Sequence, residues 1–281
     1  MIPVISIRNL SASSNTGLIL RNVSLNVNSG EAMALVGESG AGKSTIAKAV
    51  LGVLPAGIKI TGGEILFEGE NLLNLSPSRK RELLGVRIAL IPQDPLTSLN
   101  PSRRIGDQLT DGLRMRAKLN RAQAFEKALT LLNDVHIRDP RRVLKSYPHE
   151  LSGGMRQRVL IAQAFSLNPQ VIIADEPTTA LDVTVQKQVL RLIRTMQRNH
   201  GTTLLFVTHD LGVAAQICDQ MTVLYGGKIM EQGTTGDVLC NPSHAYTKAL
   251  LAANPSYDRP ERSLKPVPES LIEELKRDIS A

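Results

Sequence analysis

The sequence at residues 32–45 is AMALVGESGAGKST, an apolar segment followed at once by a glycine-rich loop. The apolar part predicts a buried strand, and residues 45–54 predict a helix, so the loop joins a strand to a helix. Residues 37–44 match Gly-x-x-x-x-Gly-Lys-Ser, in which glycines let backbone N–H groups surround phosphate oxygens. The N-terminus of the following helix carries a partial positive charge, which also attracts phosphate. The stretch therefore predicts a nucleotide phosphate site.

Two side chains of this loop have predicted roles of their own. Lys43 can reach the β- and γ-phosphates of a nucleotide, and the Ser44 hydroxyl can hold Mg²⁺. The candidate nucleotide-binding residues of the loop are Gly37, Glu38, Ser39, Gly40, Ala41, Gly42, Lys43, Ser44 and Thr45.

A second apolar segment ends in two carboxylates, at residues 171–176, VIIADE. A buried strand that delivers a carboxylate at its C-terminal end is the usual second half of a phosphate site. We expect Asp175 to hold Mg²⁺ through water. We expect Glu176 to orient or polarise the water that attacks the phosphate.

Composition limits the class of protein. Of the 281 residues, 42% are apolar, which is enough to build a core. Aromatic residues make up only 3% and Trp is absent, which argues against base stacking, and no nucleic-acid partner is expected. The net charge of +7 suits an anionic partner or a solvated basic face. Two distant cysteines indicate no disulfide or zinc site and fit a reducing compartment. No apolar run approaches the ~18 residues that span a bilayer.

Strands and helices alternate along most of the chain. Strands are predicted at residues 5–7, 20–27, 32–36, 86–91, 171–174 and 203–207, with a hairpin at residues 62–69. Helices are predicted at residues 45–54, 108–135, 159–167 and 183–200, from residue 211 onward, and at 269–280. This order predicts an α/β fold with a parallel sheet covered on both faces.

Residues 151–158, LSGGMRQR, resemble the signature loop of the ATP-binding-cassette (ABC) ATPases. The resemblance extends from Ile5 to about Pro255, with the motifs in the family's order. It implies a P-loop NTPase cassette with a RecA-like core, an antiparallel β subdomain and an α-helical subdomain inserted at about residues 96–165. We expect an ATPase domain at residues 1–240 and a C-terminal extension at residues 241–281.

The resemblance assigns further site residues. Gln93 matches the glutamine that touches Mg²⁺ and links the site to the membrane partner, residues 180–182 match the D-loop with Asp182, and His209 matches the histidine that contacts the γ-phosphate. In this family two cassettes meet head to tail. Each ATP is clamped between the phosphate loop of one cassette and the signature loop of the other, which here contains Ser152, Gly153 and Gly154. The implied catalytic residues are Lys43, Glu176 and His209.

Three other stretches indicate a branch of the family. Residues 54–69, 93–101 and 241–251 are similar to ATPases of the dipeptide, oligopeptide and nickel importers. The similarity implies ATP-driven import of peptides or related solutes such as nickel and glutathione, at the cytoplasmic face of the membrane. The implied partners are two membrane-spanning permease subunits, a second ATPase subunit and an extracytoplasmic solute-binding protein. Pairing with a second copy of the chain, an exporter role, and a soluble ATPase acting on ribosomes or DNA stay open.

The chain departs from the family pattern in three places. Many members carry an aromatic residue near the start that stacks on adenine, whereas the first aromatic here is Phe67. We therefore predict weak discrimination between ATP and GTP. Ala245 stands where the family usually has Pro. Two different ATPase subunits pair in this branch, and residues 60–69 look like the first of the two. Many subunits of this first type end in a cysteine cluster, which the tail here lacks, so no iron–sulfur site is expected there.

Overall fold

The structure is a computed structural model that describes residues 3–179, 181–253 and 266–280. Within them the strands are β1 (Ile5–Ser14), β2 (Gly17–Val27), β3 (Ala32–Val36), β4 (Lys59–Phe67), β5 (Glu70–Asn71), β6 (Ile88–Ile91), β7 (Val171–Asp175), β8 (Thr203–Val207), β9 (Gln220–Tyr225) and β10 (Lys228–Thr234). The helices are α1 (Lys43–Val50), α2 (Pro77–Leu83), α3 (Pro95–Ser98), α4 (Ile105–Arg116), α5 (Arg121–Asp134), α6 (Pro140–Lys145), α7 (Gly153–Phe165), α8 (Val183–His200), α9 (Leu211–Ile217), α10 (Thr235–Cys240), α11 (Ala245–Ala253) and α12 (Glu269–Ser280).

The chain divides into two compact units. Unit 1 comprises Met1–Leu75 and Leu205–Ala281, and unit 2 comprises Ser76–Leu204. The division falls within β8.

An antiparallel sheet in unit 1 has the strand order β2-β1-β4-β5. Alternating apolar side chains of β1 are buried, and its register places Ile5 opposite Phe67 and Ile7 opposite Ile65. The hairpin predicted at residues 62–69 is only partly right. Its strand residues belong to β4, and the turn lies at its end, where Glu68 and Gly69 have φ of 48° and 85°. Positive φ at both central residues suits the twist of a two-residue hairpin turn.

A second set of strands in unit 1 surrounds β3, with β9 on one side and β8 on the other. All five side chains of β3 are buried, and β3 pairs in parallel with β9. The parallel pairing confirms the predicted kind of sheet. β10 returns antiparallel to β9 through a Gly226-Gly227 turn with φ of 51° and 81°. The sequence prediction did not include this hairpin.

Helix α1 follows the glycine-rich loop, as predicted, but is shorter than residues 45–54. It ends at Val50, and Gly52 two residues later has a φ of 65°. A left-handed residue just past a helix is a common terminator, because only glycine adopts it without steric cost.

Unit 2 combines the parallel pair β6 and β7 with helices α2 to α8. The single helix predicted at residues 108–135 is two helices, α4 and α5. Lys118 between them has a φ of 55°, and Asn120 starts α5 with a capping box completed by Gln123. The prediction for α8 is confirmed at both ends, where Asp182 caps its N-terminus and left-handed Gly201 its C-terminus.

None of the helices in the described residues is long and apolar enough to cross a bilayer.

Candidate nucleotide site

The glycine-rich loop leaves the C-terminal end of β3 at Gly37. This residue has a φ of 146°, and a Cβ here would lie 2.2 Å from the Leu224 carbonyl oxygen of β9. Gly42 has a φ of 98°, and its Cβ would lie 2.6 Å from Leu20 Cδ2. A side chain at either position would therefore push the loop away from the strands beneath it. Gly42 also precedes α1, whose N-terminus has no side-chain cap, which leaves that terminus suited to an anion.

Lys43 is buried inside the loop, with 4% of its surface exposed. Its Nζ donates hydrogen bonds to Gly37 O at 2.7 Å and Glu38 O at 2.8 Å. The loop is closed by a hydrogen bond of 3.2 Å from the Ala41 N–H to Glu38 O. A nucleotide phosphate would be a charge-assisted acceptor for this ammonium and hence a stronger one than a carbonyl oxygen. Glu38, Ser39 and Gly40 are exposed to the solvent from which a nucleotide would enter.

The turn between β9 and β10 supports this loop from the side. The Gly227 N–H donates to Ala41 O at 3.2 Å, and Arg21 Nη1 donates to Gly226 O at 2.9 Å and Leu18 O at 3.0 Å. Our sequence analysis missed these residues. The adjacent glycines at 226 and 227 were the one available indication of a turn.

His209 follows β8 in unit 1. The preceding residue, Thr208, donates its N–H to Leu35 O of β3 at 3.1 Å, which fixes the end of β8 beside the strand that leads into the loop. Asp210 caps α9 by accepting from the Val213 N–H at 3.0 Å. His209 lies between these two anchors and is exposed.

Unit 2 brings together two of its predicted site residues, Gln93 and Glu176. The register of β6 and β7 pairs Ile91 with Ala174, so the residues beyond the two strand ends are neighbours. Gln93 Nε2 lies 3.5 Å from Glu176 Oε2, at the long limit of a hydrogen bond. Asp175 is the last residue of β7.

Thr179, which the sequence analysis did not select, also contacts the predicted general base. Its Oγ1 lies 3.0 Å from Glu176 Oε2 and 3.3 Å from Glu176 O. Glu176 itself has a φ of 46°, a left-handed conformation that is uncommon for residues other than glycine. Such backbone strain is typical of functional sites.

The signature loop opens α7, which begins at Gly153, six residues before the helix predicted at residues 159–167. The Ser152 hydroxyl accepts from the Met155 N–H at 3.3 Å, so it caps the helix. Gly153 has open space where a Cβ would stand, whereas a Cβ on Gly154 would lie 2.9 Å from Val185 Cγ1 on α8. Asp182 caps α8 by accepting from the Val185 N–H at 2.9 Å. Ala180 of the predicted D-loop lies outside the described residues.

Comparison with known proteins decides the family. A family model described as ABC transporter matches residues 20–179. The chain belongs to the ABC transporter family. A second model, described as the C-terminal region of oligopeptide/dipeptide transporters, matches residues 230–279.

Curated relatives of this ABC transporter subunit match over most of its length. The probable peptide ABC transporter ATP-binding protein y4tR of Sinorhizobium fredii is 46% identical over 261 residues, covering 92% of this chain and 78% of that protein. The dipeptide transport ATP-binding protein DppD of Bacillus subtilis is 44% identical, covering 94% of this chain and 80% of its own.

Solved structures confirm the predicted cassette fold. The dimeric, post-hydrolysis ATP-binding cassette MJ0796, bound to ADP and Pi, has a TM-score of 0.73 at 26% identity and covers 82% of this chain and 98% of its own. CbiO1 of Clostridium perfringens, part of the ABC transporter complex cbiONQ, has a TM-score of 0.74 at 27% identity. The match covers 86% of this chain and 92% of CbiO1. The chain is thus the nucleotide-binding, ATP-hydrolysing component of a transporter complex.

Proposed function

We propose that this ABC subunit energises an importer that takes up peptides. The observation that carries the proposal is the match of residues 230–279 to the C-terminal region of oligopeptide/dipeptide transporters. Relatives named for peptide, dipeptide and D,D-dipeptide transport, 44–49% identical, support the same solute class. Nickel and glutathione are the alternative solutes within this branch.

The unit 1 residues of the proposed site bind the nucleotide. The phosphates lie in the loop at residues 37–45, where Lys43 donates to the β- and γ-phosphates in place of one of its present carbonyl partners. His209 contacts the γ-phosphate. Charge-assisted hydrogen bonds from Lys43 to the phosphates give the loop its preference for anions.

The residue types of the proposed site fit Mg²⁺. Among the described residues no group of three His, Cys, Asp or Glu side chains is placed to hold a metal. Magnesium at a nucleotide needs no such cage, because phosphates and water supply most of its oxygen ligands. Ser44, Gln93 and Asp175 offer the oxygens expected of the protein. The ion would neutralise phosphate charge.

The unit 2 residues of the proposed site act on water and on a second cassette. Glu176 orients the attacking water and accepts its proton, held by Thr179 and Gln93. Ser152, Gly153 and Gly154 bind the γ-phosphate of the nucleotide held by the partner cassette, and Asp182 contributes to the same interface. ATP then joins two cassettes, and hydrolysis releases them.

The proposed assembly contains two membrane-spanning permease subunits and a second ATPase subunit, either a different chain or a second copy of this one. The surface around residues 93–101 contacts the permeases at the cytoplasmic face of the membrane. A solute-binding protein delivers the peptide from outside. The ATPase domain comprises residues 1–240, with the helical subdomain at about 96–165 inserted, and the extension comprises residues 241–281.

The test is affinity purification of tagged Glu176→Gln protein from its native membranes in Mg-ATP, followed by mass spectrometry. Lys43→Ala protein, which should bind ATP more weakly, is the matched control. Two multi-spanning proteins and a cassette ATPase would support the proposal, and a peptide-binding protein beside them would support the solute class. Ribosomal proteins or DNA-repair factors without membrane partners would contradict it.

A further inference from the structure

The C-terminal extension is tied to β10 by one carboxylate. Glu231 accepts hydrogen bonds from the Ser243 N–H at 2.7 Å, the Ser243 hydroxyl at 2.8 Å and the His244 N–H at 3.1 Å. Burial raises the pKa of Glu231, but the hydrogen bonds that its carboxylate accepts outweigh burial and lower the pKa to about 2. These donors immediately precede α11, so Glu231 fixes where that helix begins.

Tyr246, the second residue of α11, is the largest fully buried side chain of the described residues, with 0% exposed. Its ring packs on Tyr225 with centroids 4.7 Å apart and planes at 50°. This separation lies within the range of favourable aromatic pairs. Tyr225 is the last residue of β9, the strand that runs beside β3.

The Tyr225 end of this aromatic pair lies beside the phosphate loop. A Cβ on Gly37 would lie 2.2 Å from Leu224 O, and the Gly227 N–H donates to Ala41 O at 3.2 Å, so Tyr225 stands between two residues that contact the loop. Burial, and then the nearby Glu38 carboxylate, raise the pKa of both phenols.

The Tyr246 hydroxyl has no hydrogen-bond partner within the described residues. Buried tyrosine hydroxyls normally have one, so its placement needs a reason. Packing of the ring supplies it: Tyr246 lies on Tyr225 at the end of β9, and the loop beside that strand end includes Glu38, whose carbonyl accepts from Lys43 Nζ at 2.8 Å. A displacement of Tyr246 that moves Glu38 would therefore also move the carbonyl to which the Lys43 ammonium is bound.

We propose that Tyr246 is a positioning residue for the phosphate loop, through which the C-terminal extension sets the affinity of this subunit for nucleotide. Glu231 holds α11, α11 holds Tyr246, and Tyr246 with Tyr225 holds the loop residue Glu38, whose carbonyl orients Lys43. The inference rests on the proposed nucleotide site. It adds a role for the extension within the ATPase cycle.

Three variants of the full chain test this. Tyr246→Leu removes the aromatic contact, Tyr246→Phe removes only the hydroxyl, and Leu250→Ala is the control, because Leu250 is buried on α11 one turn later. Each is measured for ATP affinity by calorimetry, for thermal unfolding, and for hydrogen exchange at residues 38–41. Tyr246→Leu should weaken ATP binding about tenfold and speed exchange in the loop, since the loop loses the geometry of a charge-assisted contact. Tyr246→Phe keeps the ring and removes a hydroxyl without a partner, so both readouts should stay within about twofold of wild type. Leu250→Ala should lower the melting temperature and leave both loop readouts within about twofold.

Normal ATP affinity in Tyr246→Leu, or an equal loss in Leu250→Ala, would overturn the proposal. If Tyr246→Leu fails to fold, Tyr225→Leu, which removes the other ring of the pair, decides: faster loop exchange with weaker binding supports the proposal, and wild-type behaviour overturns it. Absence of ATP binding by the wild-type chain would contradict the proposed nucleotide site instead, so the two failures are distinguishable.

Discussion

Thr179→Val should slow ATP hydrolysis about tenfold and leave ATP binding unchanged. The Thr179 hydroxyl has one proton, which it donates either to the Glu176 carboxylate at 3.0 Å or to the Glu176 carbonyl at 3.3 Å. A hydrogen bond to a charged acceptor contributes roughly 1.5–3 kcal/mol. Because Thr179 is exposed and water competes for the hydrogen bond, we take the lower end of this energy range. About 1.4 kcal/mol corresponds to a factor of ten in rate.

The assay is steady-state phosphate release by the assembled transporter at saturating Mg-ATP, with ATP affinity measured separately. Valine is nearly isosteric with threonine, so the fold should be retained, and Thr179→Ser restores the hydroxyl as the matched control. The expected result is a lower kcat with unchanged ATP affinity for valine and near-normal turnover for serine. A valine variant within twofold of wild type would refute the role given to Thr179, and so would a serine variant as slow as valine.

Four further outcomes are expected. Lys43→Ala should raise the Kd for ATP about 10- to 100-fold in calorimetry, because one or two charge-assisted hydrogen bonds to phosphate are lost; unchanged affinity would mean that the loop is misassigned. Glu176→Gln should bind ATP normally, slow turnover at least ~100-fold and trap the closed dimer in gel filtration, and near-normal turnover would contradict a general-base role. GTP should be hydrolysed within roughly tenfold of ATP, because no aromatic residue precedes Phe67 to stack on adenine, and a thousandfold preference for ATP would disprove this. The pKa of Glu231 is lowered from 4.5 to about 2, so its contribution to stability is present above pH 4.5 and lost as the pH falls towards 2. In denaturant unfolding, the free energy of unfolding of Glu231→Gln should therefore fall less than that of wild type between pH 4.5 and pH 2. Equal pH dependence of the two proteins would contradict this.

The loop after β3 and the strand before Glu176 were predictable because local sequence decides them. Five buried aliphatic residues followed by glycines with defined spacing leave few alternatives. The same holds for α8, where Asp182 and Gly201 mark both ends. Helix boundaries inside unit 2 were less predictable. The stretch predicted as one helix at residues 108–135 is split in two, because Asn120 caps the start of α5. Helix α7, capped by Ser152, begins at Gly153, six residues before the predicted helix at 159–167.

The contacts that hold the phosphate loop in place were not predictable, because they join residues that are distant in sequence. Tyr246 lies more than 200 residues from Glu38, and Arg21 reaches the Gly226 carbonyl across a separation of 205 residues. Nothing in the local pattern of residues 241–251 indicates that a tyrosine there packs on Tyr225 beside the phosphate loop. Strand pairing between β3 and β9 creates that proximity. Thr179 was missed for a different reason, since a threonine beside two acidic residues is common in turns.

The most direct test of the central claim is peptide uptake by the purified complex. The subunit would be isolated with its membrane partners, reconstituted into liposomes with its solute-binding protein, and given labelled di- and oligopeptides with Mg-ATP. The account predicts uptake that requires ATP, stops with Glu176→Gln and persists with Thr179→Ser. ATP hydrolysis at normal rates without movement of any peptide, with nickel or glutathione carried instead, would contradict the proposed solute class. Uptake that continues with Glu176→Gln would contradict the claim that this chain supplies the energy.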